Sequence, residues 1–317
     1  MNLEKLRLCS TPNHNRGTAR GAVCVGSNSV IESSRAPCVE MSATRAGGSA
    51  MGKHSQTAVL NGVDRGRKSL ETRCRKYLYA IIFADSAGAS GPVGIEGLGV
   101  QTVSEGRVAA VVSDAPGPKI RPERRHLAAH QAVLKQLMGS TTPLPMSFGI
   151  IADSIEAVRG ILSRDQRALL DQLNRVAGKV EMGLRVTWDV PNIFEYFVNT
   201  HAELRAARDR LLTSGEGATH EEKIEVGRMF DHLLNQDRDS CTERVERLLR
   251  PACAEFKENK CRGEKEVVNL ACLIGRTGQE RFAGAVFEAA KVFDNNFAFD
   301  YSGPWAPHNF VELDLDS

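Results

Sequence analysis

From position 179 to 189 the chain alternates almost without interruption. Val180, Met182, Leu184, Val186 and Trp188 are apolar, while Glu181, Gly183, Arg185, Thr187 and Asp189 between them are polar or small. Side chains leave a strand on alternate faces, so this run reads as a strand with one face buried and the other wet. The layer that covers the apolar face has to come from elsewhere in the chain, and the next stretch of sequence is helical.

A helical segment is expected over 195–212, then a Ser-Gly-Glu-Gly break over 214–217. Thr219, three residues before Glu222, forms a candidate capping box. Behind it Val226, Phe230, Leu233, Leu234, Cys241, Val245, Leu248 and Leu249 give a helical stripe with a polar gap over 236–240. Pro251 ends or kinks that helix, because it has no backbone N–H to donate. A strand over 267–274, a helix over 278–292 and a last strand over 296–301 complete a β-α-β-α-β order.

The stretch before position 179 reads as a second unit. Residues 77–83 (Tyr-Leu-Tyr-Ala-Ile-Ile-Phe) are short and apolar on both faces, as in a central strand. A Gly-rich turn over 88–99 leads to strands over 100–103 and 108–112, with Glu105-Gly106 as their hairpin turn. A helix over 123–138 carries Leu127, Val133, Leu134, Leu137 and Met138 on one stripe. Residues 143–151 form a strand that Pro145 confines to an edge or a bulge. Two short helices, over 155–162 and 164–176, close the unit.

Residues 1–73 differ in kind. They are rich in Ser, Gly, Asn, Thr and Arg and lack apolar periodicity, so they cannot bury enough surface to offset the entropy of ordering. The expectation is a disordered or mis-assigned tail over 1–73, an N-terminal α/β domain over 74–176 and a C-terminal α/β domain over 177–317. At 317 residues with 42% hydrophobic content the chain is long enough for two cores. A formal net charge of +2 gives no concentrated basic surface of the kind nucleic acid demands. No apolar run reaches the roughly 20 residues that span a bilayer, and no signal core is visible, so a cytoplasmic protein with no membrane partner is expected. The eight cysteines then read as reduced thiols, with no Cys-x-x-Cys pair to begin a zinc site.

Few residues offer chemistry. Gly94, Gly97 and Gly99 lead into a strand instead of a helix, so they read as a flexible turn and not as a phosphate loop. His126 and His130 have the spacing at which two imidazoles share a metal, but no glutamate lies between them and both sit on or beside the apolar stripe. Ser147 is in no nucleophile elbow. Trp188 and Trp305 read as aromatics that close the core of the second unit.

Four segments in order resemble the gas vesicle F/L family of accessory proteins. They are Tyr77-Leu78-Tyr79-Ala80-Ile81; His130-Gln131-Ala132-Val133-Leu134 with Leu144-Pro145-Met146-Ser147-Phe148-Gly149; Ala177-Gly178-Lys179-Val180-Glu181 running to Trp188-Asp189; and Tyr301-Ser302-Gly303-Pro304-Trp305-Ala306-Pro307 with Phe310. The resemblance implies an α+β fold of two modified ferredoxin-like domains with additional helices. It implies a non-enzymatic minor vesicle component or assembly factor that binds the hydrophobic shell protein during nucleation and limits its aggregation, other accessory proteins being further partners. Ser147 stands where many members carry arginine, His308 where an aromatic is common, and the tail has no counterpart in typical members.

On this reading no residue is assigned as catalytic, cofactor-binding or metal-ligating, and no cofactor is expected. The contact with the shell protein is expected in the first domain, where 77–83 and 143–151 supply strand edges. The competing class is a metal-dependent or hydrolytic enzyme centred on His126, His130 and Ser147.

Overall fold

The computed structural model describes residues 5–6, 75–86, 93–213, 217 and 219–312. Apart from residues 5–6, the expected tail lies outside them, as do most of the break over 214–217 and part of the turn over 88–99.

The first sheet is antiparallel in the order β3-β4-β2-β5. It is built from β2 (Lys76–Phe83), β3 (Val100–Glu105), β4 (Val108–Asp114) and β5 (Leu144–Pro145), with β6 (Ile151–Ala152) also on β2. The expected hairpin joins β3 to β4, with Gly106 at φ +58°, a left-handed value glycine takes without strain. The expected strand over 143–151 resolves into two short pieces, β5 and β6, around an intervening turn.

Nearly every residue of β2 is buried. Its pairing with β4 shifts between Leu78 and Ala80, leaving Tyr79 as the extra residue of a bulge. One inserted residue inverts the alternation, so Tyr77, Tyr79 and Ile82 share one face and Leu78 and Ile81 the other. Helix α1 (Arg124–Leu137) covers the tyrosine face through Val133. The opposite face is covered by α2 (Ile155–Arg164) and α3 (Gln166–Val176) through Val158, Leu162, Leu169 and Leu173. On α1 the buried side is His126, His130, Val133 and Leu134, and Leu127 is exposed, contrary to the expected stripe.

The second sheet begins with β7 (Lys179–Trp188), the alternating run. Three helices come next: α4 (Ile193–Thr200), α5 (Ala202–Thr213) and α6 (His220–Leu249). The expected helix over 195–212 is therefore two helices that break at His201. The capping box at Thr219 and Glu222 is formed, and α6 runs through the polar gap to Leu249. Strands β8 (Glu255–Glu258) and β9 (Glu266–Gly275), helix α7 (Gln279–Val292) and strand β10 (Phe297–Trp305) complete the unit.

Strand β8 is absent from the sequence-based order, because Glu-Phe-Lys-Glu is short and charged in the manner of an edge strand. With it the order becomes β-α-β-β-α-β, and the sheet runs β10-β7-β9-β8, all antiparallel, which is ferredoxin-like topology. A two-residue strand β1 (Lys5–Leu6) pairs outside β10.

Helices cover one face of the second sheet. Val180, Met182, Leu184, Val186 and Trp188 pack there with Phe197, Leu233, Val245, Phe282 and Phe299. The opposite face of β9 turns Ala271 and Leu273 into the cluster that holds Leu78, Ile81 and the α2–α3 side chains. The two sheets thus share apolar packing across α3.

Candidate functional site

The sequence candidates gather around the face of β2 that meets α1. Their four-residue spacing puts His126 and His130 on the same side of the helix, and both are buried. Their environments then diverge.

At His126, Nδ1 bonds the Arg121 carbonyl at 2.8 Å and Nε2 bonds a Glu96 carboxylate oxygen at 2.6 Å. Two acceptors favour the doubly protonated ring, so the Arg121 carbonyl, and then Glu96, raise its pKa above the ordinary histidine value. The same contact, with Arg125 behind it, lowers the pKa of Glu96. Glu96 lies in the glycine turn, with Gly97 at φ +74°. Gly94 sits so close to Tyr79 that a Cβ there would fall 2.2 Å from the phenol oxygen. The flexible turn expected from these glycines is, at 93–99, a packed loop clasped by Glu96 and His126.

At His130, Nδ1 lies 2.9 Å from the Tyr77 hydroxyl, which also accepts the Gly149 N–H at 3.2 Å. The hydroxyl donates to Nδ1 or accepts from it according to the imidazole tautomer. Nε2 is buried without a hydrogen-bond partner. Burial, with His308 nearby, lowers the pKa of His130 to about 4, and burial raises Tyr77 to about 12. The ring stacks on Tyr79 at 5.5 Å and meets Phe148 edge-on at 6.0 Å. Tyr79 in turn accepts the Ile95 N–H at 2.9 Å and bonds Ser113 at 3.0 Å.

The His130 ring, buried between Tyr77 and Tyr79, serves to hold a segment. Tyr77 fixes Gly149, Phe148 packs on His130, Met146 donates its N–H to Tyr79 O at 2.9 Å, and Leu78 donates to Ile150 O at 3.0 Å. These bonds fasten residues 143–151 as the border of the first sheet. Ser147 is exposed on that border and bonds neither histidine, so the three candidates of the enzyme reading do not converge. Among the described residues no three His, Cys, Asp or Glu side chains are placed to share a metal ion. No helix among them is long and apolar enough to cross a membrane.

The C-terminal signature forms a strap that joins the two sheets. Gly303 has φ +131°, and a Cβ on it would lie 2.8 Å from Met182 Sδ and 3.0 Å from Glu181 O, so glycine is required there. Beyond it Ala306 packs on Ala80 and Leu134, and Phe310 enters the cluster shared by both sheets. Glu181, expected on the wet face of β7, is covered. Its carboxylate accepts Asn309 N–H at 2.8 Å and Asn309 Nδ2 at 2.6 Å. Burial raises the pKa of Glu181 against the pull of those bonds. Trp188 is buried as expected, but Trp305 is 37% exposed and donates to Ser302 Oγ at 3.3 Å. The buried residues of the signature are Ala306, Pro307 and Phe310. Sequence alone offers one signal for them, the apolar spacing after the Gly-Pro turn.

Comparison with known proteins places this architecture. The family model for gas vesicle synthesis protein GvpL/GvpF matches residues 75–312. Gas vesicle protein F of Streptomyces sp. (strain CB03234) is 28% identical over 241 residues, covering 74% of this chain and 99% of the relative. Gas vesicle protein F of Nostoc sp. is 28% identical over 204 residues, covering 63% of this chain and 83% of the relative. The crystal structure of GvpF from Anabaena sp. PCC7120 superposes with a TM-score of 0.65 at 25% identity, over 76% of this chain and 99% of that one. GvpF from Microcystis aeruginosa gives the same TM-score of 0.65 at 22% identity, a likeness of fold.

Proposed function

Since the chain belongs to the GvpL/GvpF family of gas vesicle synthesis proteins, and so has a gas vesicle accessory role, we propose that it binds the hydrophobic shell protein during vesicle nucleation and limits its aggregation. It acts in the cytoplasm as a binding protein, not as an enzyme. The observation that carries this reading is the border formed by residues 143–151. That segment pairs with β2 only through β5 and β6, and no strand lies outside it among the described residues. It also presents Ile150, which is 40% exposed. Residues 143–146 are buried, so the exposed part of this border is 147–150, where the apolar Ile150 suits a partner that assembles through apolar surfaces.

The other expected edge, residues 77–83, is not open. Strand β2 is central, with β4 on one side and β5 and β6 on the other. The contact is therefore assigned to 143–151 alone, and the domain boundary near position 176 is retained as part of the proposal.

The test is shell protein diluted to its solubility limit, with and without the full chain, and then sedimented. An equimolar amount of chain should keep most of the shell protein in the supernatant, and Ile150→Asp should abolish that effect while leaving the circular dichroism unchanged. Equal pelleting with and without the chain refutes the proposal.

A further inference from the structure

The second sheet carries an open cleft of about 590 Å³ where β9 meets the loop after β8. Three cations, Arg185, Lys260 and Arg262, and three amides, Asn259, Asn269 and Asn309, account for nearly all of its lining, with no carboxylate among them. We propose that this cleft binds an extended acidic segment of a protein partner.

The cleft is built from beneath. Glu266 is 7% exposed, and it holds Arg185 through Nε at 2.7 Å and the backbone N–H of Arg262. Glu181 holds Asn309 by the two bonds already described. The loop that presents Lys260 and Arg262 is tied down by Arg238 of α6, which donates to Glu266 O at 3.0 Å and Gly263 O at 2.8 Å. Asn259 N–H closes the near end on Asn269 O at 2.8 Å. Preorganised donors of this kind cost little to order on binding. Lys260 and Arg262 are exposed, and neither is in an ion pair among the described residues. Two uncompensated cations on a fixed loop beside amide donors favour carboxylates.

A peptide fits better than a nucleic acid. The volume is that of a small-ligand or short-peptide pocket. No aromatic side chain lines it to stack a base, and three cations are few for a phosphate backbone. The adjoining β8 is the outer strand of its sheet, so an extended chain leaving the cleft meets main-chain groups that no other strand uses among the described residues. The site lies on the second sheet and is independent of the shell-protein contact assigned to 143–151.

Fluorescence anisotropy of the full chain with a labelled hexaglutamate peptide tests the assignment, with no shell protein present. Saturable binding is expected, weakened about tenfold by the double variant Lys260→Glu, Arg262→Glu and weakened by raising salt, as screening requires. Hexalysine should not bind. Absent binding, or binding that the double variant leaves unchanged, overturns the proposal. Tighter binding of a single-stranded oligonucleotide of equal charge, lost in the same variant, overturns it in favour of a phosphate ligand.

Discussion

The first sheet is covered by helices on both faces, whereas helices cover one face of the second and meet its other face only where Ala271 and Leu273 of β9 join the α2–α3 cluster. Strand β2 is buried almost throughout, whereas β7 buries its apolar alternation together with Glu181 and leaves Arg185 exposed. A strand enclosed on both sides has no spare face for a partner, so the contact proposed for the first sheet lies at its border. A strand covered on one side leaves a floor, and on the second sheet that floor holds the C-terminal strap and the basic cleft. Layer count thus decides where each half has surface to give.

The comparison is tested first at its two large buried aromatics. Trp188→Ala should cost about 3–5 kcal/mol in denaturant unfolding, because the ring packs edge-on to Phe197 inside the one-sided core. Phe310→Ala should cost a similar amount and, because that ring belongs to the cluster shared by both sheets, should loosen both at once. Two well-separated transitions in the unmutated protein would break the idea of shared packing.

A second test separates the two histidines of α1 by pH. The folded-state pKa of His130 is lowered from 6.5 to about 4, so in that window the unfolded chain takes up a proton that the folded chain refuses. Stability should fall as pH drops through it, by about 3 kcal/mol in full, with no penalty above it. His126 has the opposite sign. Its raised pKa gives a contribution that is complete below the ordinary histidine value and is lost as pH rises through the folded value. Glu96, with its lowered pKa, contributes above the ordinary glutamate value and loses that contribution as pH falls through its folded value. Urea titrations from pH 4 to 8 should therefore show an acid loss that His130→Leu removes and His126→Gln does not.

The smallest effect expected is at Trp305. Its ring is partly in solvent, so Trp305→Ala should change stability by about 0.5 kcal/mol or less. A loss as large as that of Trp188→Ala would mean that the strap carries its weight through the indole and not through Phe310.

Most of the fold was legible where periodicity is long or capped. The alternation of β7, the Thr219–Glu222 box and the double-sided apolar run of β2 each fix an element by local physics. Strand β8 was not legible, because Glu255 to Glu258 look like any charged loop until β9 pairs with them. The histidine pair shows the same limit at the site. Spacing put both side chains on one helix face, but only the packing of Tyr77, Tyr79 and the Glu96 loop lowers the pKa of one ring and raises that of the other. Glu181 read as a solvated carboxylate on a wet face, and the residue that covers it, Asn309, is 128 positions away. Trp305 misled for a related reason, since the chain turns at Gly303 and exchanges which side faces inward.

The central claim, that the border of the first sheet holds the shell protein, is tested most directly by co-purification. Full-length tagged chain co-expressed with the shell protein should retain it on the affinity resin in a defined ratio. Ile150→Asp should release the shell protein, and Lys260→Glu with Arg262→Glu should not. Retention that survives Ile150→Asp but is lost with the cleft variant would contradict the account, moving the contact from the first sheet to the second.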